Sequence, residues 1–296
     1  MACSALAYTL AAALFVALSA AAGIAPAAAF VALAAVVAIC MPASVVLVRL
    51  VEGKRHGFTV GGASFVGFLV APAVAVAADA LSERLGLGPA PAVPFLAAMA
   101  IAYALGESVG RLACISFGCC YGKPVEQTSG WVRRFASRYR FVFHGSTKKA
   151  AFASSLDGVA VVPVQAMTSV ALAAVAWVST LLFLQGRAAA AFALAATGTQ
   201  LWRLYSETLR ADYRGEGRIS AYQWMAAGVA VCGLTFFALA GGQVGPGPTS
   251  SPAVTALAHP AAILALQFLF GLVFWRMGRS SQTGARIHFH VHLDRI

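Results

Sequence analysis

Charge is what this sequence has least of. Only 10% of its 296 residues are Asp, Glu, Lys or Arg, where a soluble domain carries roughly 25%, so a water-soluble globular domain is excluded. Acidic residues are the scarcer sign, 10 against 21 Lys and Arg, leaving a net charge of +11. In so apolar a chain that excess points to topology signals and contact with anionic lipid, and away from nucleic acid. Cysteine is sparse and poorly arranged: six residues without a repeated CxxC pair give no disulfide framework and no zinc site. Cys114, Cys119 and Cys120 could bind a soft metal or react as thiols, but their spacing fits no standard site and buried cysteine usually acts as a small hydrophobe. No metal and no cofactor is expected. The first apolar run has no basic segment ahead of it and no clear cleavage site, so it is expected to stay as a helix and not to be removed as a leader. Cys3 sits too early to be a lipid-modified cysteine behind such a leader. Internal repeats and broken-helix signals are also missing, which weighs against a transporter.

What the chain does have is apolar length. Runs of about the 20 residues needed to cross a bilayer occupy residues 4–23, 28–50, 60–81, 94–117, 162–184, 188–209, 221–240 and 254–275. An all-α polytopic membrane protein with seven or eight transmembrane helices follows. Many runs are rich in Ala and Gly, which allows close helix packing. The organisation reads as helices 1–4 in 1–117, an extramembrane head in 118–161, helices 5–7 in 162–240, and a linker, an extra helix and a basic tail in 241–296. The head is the longest non-apolar stretch, and loops of that length usually carry a function. Its RYRFVFH segment (138–144) alternates like a strand, so some β-structure is expected there. GGQVGPGPTSSP (241–252) reads as a linker. In the tail, His288, His290 and His292 would share one face if extended and could chelate an ion, although a frayed basic end explains them as well. Trp202, Tyr205, Tyr222 and Trp224 flank span ends, where interfacial anchoring accounts for them.

The few charges inside the apolar runs stand out. Glu107 and Arg111 are four apart near the end of the fourth run; Arg203, Glu207 and Arg210 follow i, i+4, i+7 near the end of the sixth. Helical spacing puts each set on one stripe. An arginine at mid-bilayer costs about 2.5–3.5 kcal/mol on insertion scales, relieved by pairing, by a wet cavity or by a nearby interface. Two arginines facing one cavity would suit a phosphate, because guanidinium offers a planar fork and keeps its charge in apolar surroundings. Arginines near span ends also snorkel to lipid headgroups, and spacing alone leaves both readings open.

Five segments, in order, carry a resemblance to a known family: VGGASFVGFL (60–69), GRLACISFGCCYG (110–122), VPVQAMTS (162–169), LWRLYSETLRADYRG (201–215) and ISAYQWMA (219–226). Together they resemble the GGMSFHGG, GRxGNFxNxExxG, HPSQLYE and RFxxEFxRxPD segments, and the helix start after them, of the prolipoprotein diacylglyceryl transferases. The resemblance implies a membrane transferase that moves a diacylglyceryl group from phosphatidylglycerol to the thiol of a lipobox cysteine in a prolipoprotein, releasing glycerol phosphate, in the bacterial cytoplasmic (inner) membrane. Its partners would be phosphatidylglycerol or another anionic phospholipid and a lipobox prolipoprotein. Arg111 and Arg203 would hold phosphate. Glu207 matches the family's glutamate on the later helix and would orient these arginines together with Glu107. Gly110 and Gly122 match the framing glycines, Gln165 would line the cavity, and Arg210 would join the substrate-binding set.

The departures are as specific. Val66 stands where the family has a histidine, Cys114 for its asparagine, Cys119 for its glutamate, and Val162, Met167 and Thr168 for the histidine, tyrosine and glutamate of HPSQLYE; Pro163 and Gln165 remain. The phosphate side of the motif is kept while the thiol-activating side is changed. An altered-acceptor or non-catalytic relative that still binds anionic phospholipid is therefore the alternative, with His56 and His144 as replacement bases. Charge bias adds a conflict. Arg49, Lys54 and Arg55, seven Lys and Arg of the head, Arg210, Arg214 and Arg218, and Arg276, Arg279 and Arg286 all follow even-numbered spans, while Arg84 and Arg187 alone fall on the other side. The positive-inside rule then puts both termini in the cytoplasm, opposite to the family's orientation.

Overall fold

The computed structural model describes residues 1–53, 59–212, 219–240 and 242–277. Lys54, Arg55, His56, Arg214, Arg218, Arg279, Arg286 and the three tail histidines lie outside them. Each apolar run forms a helix: α1 Ala2–Ala21, α2 Pro26–Glu52, α3 Val60–Arg84 and α4 Ala92–Phe117. The head follows, with a 3-10 turn at Val125–Gln127, α5 Gly130–Arg138, strand β1 Phe141–Val142, α6 Lys149–Ser154 and strand β2 Ala160–Val161. The chain then re-enters the bundle as α7 Val164–Leu184, α8 Ala188–Thr208 and α9 Ala221–Ala240, and continues with α10 Ser250–Ala258 and α11 Pro260–Met277.

Seven of these helices are long and apolar enough to cross a membrane: α1–α4, α7, α9 and α11. The sixth expected span, α8, has the length, since 21 residues at 1.5 Å rise reach roughly 30 Å. It falls short in hydropathy because from Thr197 onward it carries Thr197, Thr199, Gln200, Arg203 and Ser206, all buried. Its neighbours are α4, α7 and α9, so these polar side chains face protein, the setting in which polar groups at membrane depth are tolerated.

Two expectations change. The last run, 254–275, is two helices, because His259 takes an extended conformation ahead of Pro260, as proline imposes on the residue before it. The segment before them is pinned in place: the Gly245 N–H donates to the Gly186 carbonyl (2.9 Å) and the Thr249 N–H to that of Ala21 (3.0 Å). In the head, only two residues of the 138–144 alternation become strand. Phe141 pairs with Val161 and Val142 with Ala160, antiparallel, while Arg138 closes α5. The rest of the head is helix and turn.

α4 organises the bundle, touching α1, α3, α7 and α8. Its first half enters an apolar core of Phe15, Phe95, Ile101, Phe183 and Phe192 with many alanines. Its second half holds the charges.

Candidate functional site

Tyr103, Glu107 and Arg111 recur every four residues on α4, so they stack along one stripe. The stripe faces α8. Glu107 takes both arginines: Arg111 pairs with its Oε1 from the next turn, and Arg203 reaches across from α8, its Nη2 donating at 2.8 Å to Oε1 and 2.7 Å to Oε2. The Tyr103 hydroxyl donates to Glu107 and accepts from Arg203 Nη2 at 2.8 Å. All three charged groups are buried. One turn nearer the head, Arg210 contacts Glu207 Oε1 at 3.1 Å and lays a two-pronged contact on Asp212, 2.7 Å at each oxygen.

These residues enclose one hollow with Cys120, Gln165, Thr168, Thr199, Trp202 and Ser206. Three arginines and two glutamates line it, and Asp212 balances the third arginine. Its free space is about 10 Å³ at the centre of a water, room for roughly one molecule. A larger group enters only by parting the side chains. Among the described residues, Arg111 Nε, Arg203 Nε and Gln165 Oε1 are buried with no hydrogen-bond partner, so the hollow keeps two donors and one acceptor unused.

The turn after α4 completes the site. Gly118 takes a left-handed conformation (φ 67°), its N–H donates to the Ile115 carbonyl and the Cys119 N–H to that of Cys114 at 3.1 Å. This paired closure reverses the chain at a helix end. Cys120 is then left-handed as well, at φ 54°, an uncommon state for a residue with a side chain. The next residues run beside the end of α8: Gly122 bridges Arg210, the Ala211 N–H donates to the Tyr121 carbonyl (3.1 Å) and the Lys123 N–H to that of Leu209 (2.9 Å). Only glycine fits at 122, because a Cβ there would lie 2.4 Å from the Val162 carbonyl oxygen. Gln165 Nε2 donates to the Cys119 carbonyl at 2.8 Å, which ties the start of α7 to the same turn. Tyr121 is buried beneath it, its hydroxyl 2.5 Å from Ser154 Oγ.

Of the residues singled out from sequence, Arg111, Arg203, Glu107, Glu207, Arg210 and Gln165 meet at the hollow. Gly122 frames it through backbone. Gly110 does not line it; the position of its missing side chain faces Ala7 of α1, a helix-packing role. His144 is exposed on the head and is not among the residues that line the hollow. His56 lies outside the described residues. Two expected interfacial anchors are interior contacts. Trp202 lines the hollow and its Nε1 donates to Thr168 Oγ1 at 3.0 Å; the Tyr222 hydroxyl is buried and donates to Glu52 at 2.9 Å. Trp224, 66% exposed, keeps the anchoring role. Tyr103, Asp212 and Ser206 join the cluster without being marked by the charge spacing. Tyr103 had a signal, being one helical turn before Glu107 on the stripe already marked by Glu107 and Arg111. The spacing of Cys114, Cys119 and Cys120 fits no standard metal site, yet the turn brings them together, their sulfurs within 4.8 Å of one another.

The bundle and this cluster define a multi-pass membrane protein with a buried, arginine-lined hollow at the end of the bundle that carries the head. The family model described as prolipoprotein diacylglyceryl transferase matches residues 5–239, and the chain belongs to that family, a family of transferases. No curated protein and no solved structure matches it.

Proposed function

We propose that this protein transfers a diacylglyceryl group from phosphatidylglycerol, or a related anionic glycerophospholipid, to a cysteine thiol of a lipobox prolipoprotein in the bacterial cytoplasmic membrane. One observation carries the reading: guanidinium groups from two separate helices, Arg111 on α4 and Arg203 on α8, converge on one carboxylate at a single buried hollow. In the reaction a thiolate attacks the glycerol carbon, the carbon–oxygen bond breaks, and its electron pair leaves on the phosphate. Arg111 and Arg203 stabilise that growing charge. Glu107 holds both guanidinium groups in place before the lipid arrives, which removes reorganisation from the chemical step. Glu207 and Asp212 do the same for Arg210, and Gln165 supplies a free acceptor. The phosphate takes its place at the arginines by displacing part of the Glu107 contact.

A second reading rests on Val66, Val162 and Met167, aliphatic side chains where the family has polar ones. It is a relative that cleaves or binds the lipid for a different acceptor. Both are tested by incubating the purified protein with phosphatidylglycerol vesicles and a lipobox peptide. A diacylglyceryl mass gain on the peptide supports the first reading; glycerol phosphate release with an unmodified peptide supports the second. R111A and R203A each lower the rate about 100- to 1,000-fold, the loss typical of one donor to a developing oxyanion. Unchanged rates in both variants refute the arginine cradle.

A further inference from the structure

The proposed transfer needs a thiolate, because a free thiol with a pKa of about 8.5 is mostly protonated at neutral pH. The hollow has no evident base. Among the described residues that line it there is no histidine or lysine, and its two glutamates are held by Arg111, Arg203 and Arg210. What does stand at its edge is Cys120, backed by Cys114 and Cys119.

The three sulfurs lie within 4.8 Å of one another. Thiolates on a tetrahedral zinc ion at about 2.3 Å sit roughly 3.8 Å apart, so rotamer shifts of about an ångström close the set around an ion. The backbone that presents them is held from four directions: by the helix-end closure onto Cys114 and Ile115, by Ala150 N–H to the Gly118 carbonyl (3.0 Å), by Gln165 to the Cys119 carbonyl (2.8 Å), and by the pairing of Tyr121 and Lys123 with the end of α8. Cys120 spends a left-handed φ to turn toward the hollow. All three cysteines are partly exposed, and a fourth ligand reaches them by parting the side chains of the hollow. Three protein ligands and one open position are the pattern of catalytic zinc, whereas structural zinc is closed by four. A thiol that enters the open position is deprotonated outright. Arg111 and Arg210 line the same hollow as Cys120.

We propose that Cys114, Cys119 and Cys120 form a three-thiolate site for a zinc-like divalent ion, and that its open position binds and activates the acceptor thiol. The proposal rests on the transfer reading for the identity of that thiol. The acceptor loses its proton to water as its sulfur binds the ion. The sulfur's electron pair then forms the carbon–sulfur bond as the carbon–oxygen bond breaks and glycerol phosphate departs with its pair. No oxidation or reduction occurs, and the ion keeps its three protein ligands.

The test uses full-length protein in detergent, reduced and stripped of metal, titrated with Co²⁺ as a coloured substitute for zinc. One equivalent should produce a thiolate-to-cobalt charge-transfer band that Zn²⁺ abolishes. Alkylation of the unmutated protein, mapped by mass spectrometry, should show Cys114, Cys119 and Cys120 shielded by the ion while Cys40 and Cys232 react. C114S, C119S and C120S should each weaken binding by more than the roughly 10- to 100-fold typical of an outer-shell change, and C232S should not. A lipobox peptide should then shift the cobalt d–d bands, and its Cys→Ser version should not. Absent cobalt binding, shielding that misses these three cysteines, or bands blind to the thiol peptide overturns the proposal. Metal and thiol binding are read without lipid, so the two readings fail separately. Transfer that persists with a chelator in stripped protein removes the metal and keeps the transferase. Cobalt and thiol binding without any transfer from phosphatidylglycerol removes the transferase and keeps the site.

Discussion

The two halves of α4 are built on opposite principles. From Phe95 to Ala102 its buried residues are apolar and pack against Phe15, Phe183 and Phe192. From Tyr103 to Arg111 the same helix buries a carboxylate and a guanidinium and hands the carboxylate to a second arginine. α8 changes in the same way along its length, from Ala189–Ala196 to Thr197, Gln200, Arg203 and Ser206. In a bilayer the apolar half gains little from burial, because lipid is as apolar as the core, and it is held by close packing. The polar half is held by pairing that each member needs. Damage should therefore be graded in the first region and abrupt in the second.

The largest effect should follow E107A. It leaves Arg111 and Arg203 as adjacent buried charges with no carboxylate, and breaking a buried pair from one side costs about 3–5 kcal/mol. Thermal unfolding in detergent should show it, and R203A, which removes charge and leaves Glu107 paired with Arg111, should lose less. In the apolar half, F95A should cost roughly 2 kcal/mol. That is below the 3–5 kcal/mol usual for a buried phenylalanine in a water-soluble core, since the transfer contribution is missing and only the lost packing remains. An F95A loss as large as that of E107A would erase the contrast between the halves.

The contrast was partly visible in the sequence. Apolar length places the long helices of the bundle, and the i, i+4 and i+7 spacing of Glu107, Arg111, Arg203, Glu207 and Arg210 marks both stripes. What spacing within a helix does not carry is the pairing between helices. Arg203 lies four residues before Glu207, yet it crosses to Glu107 and Tyr103. The cysteine cluster was hidden for a related reason. A C-x₄-C-C run becomes a cluster only when Gly118 reverses the chain, and that turn is held by Ala150 and Gln165, 32 and 46 residues after the residues they bond. Sequence does not place Trp202 and Tyr222, because an aromatic ring near a span end looks the same whether it meets headgroups or a neighbouring helix. The break at His259 was readable from Pro260 and was lost in the apolar run around it.

G122A tests how the polar half is anchored to the head, with an effect smaller than that of E107A. Its Cβ would sit 2.4 Å from the Val162 carbonyl oxygen and 2.7 Å from the Val162 Cβ, so the strand-like pairing with Arg210 must open. Overpacking of this kind costs about 1–3 kcal/mol. Transfer should fall further than stability does, because Arg210 and the start of α7 move with that backbone.

The smallest change sharpens the same point. W202F keeps most of the ring that lines the hollow and removes one hydrogen bond, the 3.0 Å donation to Thr168 Oγ1. A neutral bond of this kind contributes about 1 kcal/mol. Thr168 Oγ1 also donates to the Val164 carbonyl at 2.7 Å, so the hydroxyl stays satisfied and the loss should not exceed that figure. Headgroup affinity is the better measure. Trp202 touches the hollow without carrying charge, so W202F should leave the salt dependence of vesicle binding unchanged, whereas R203A should reduce it. Equal salt responses in the two variants would mean that the arginines do not meet the lipid, and that the polar half of α4 serves only to hold the bundle together.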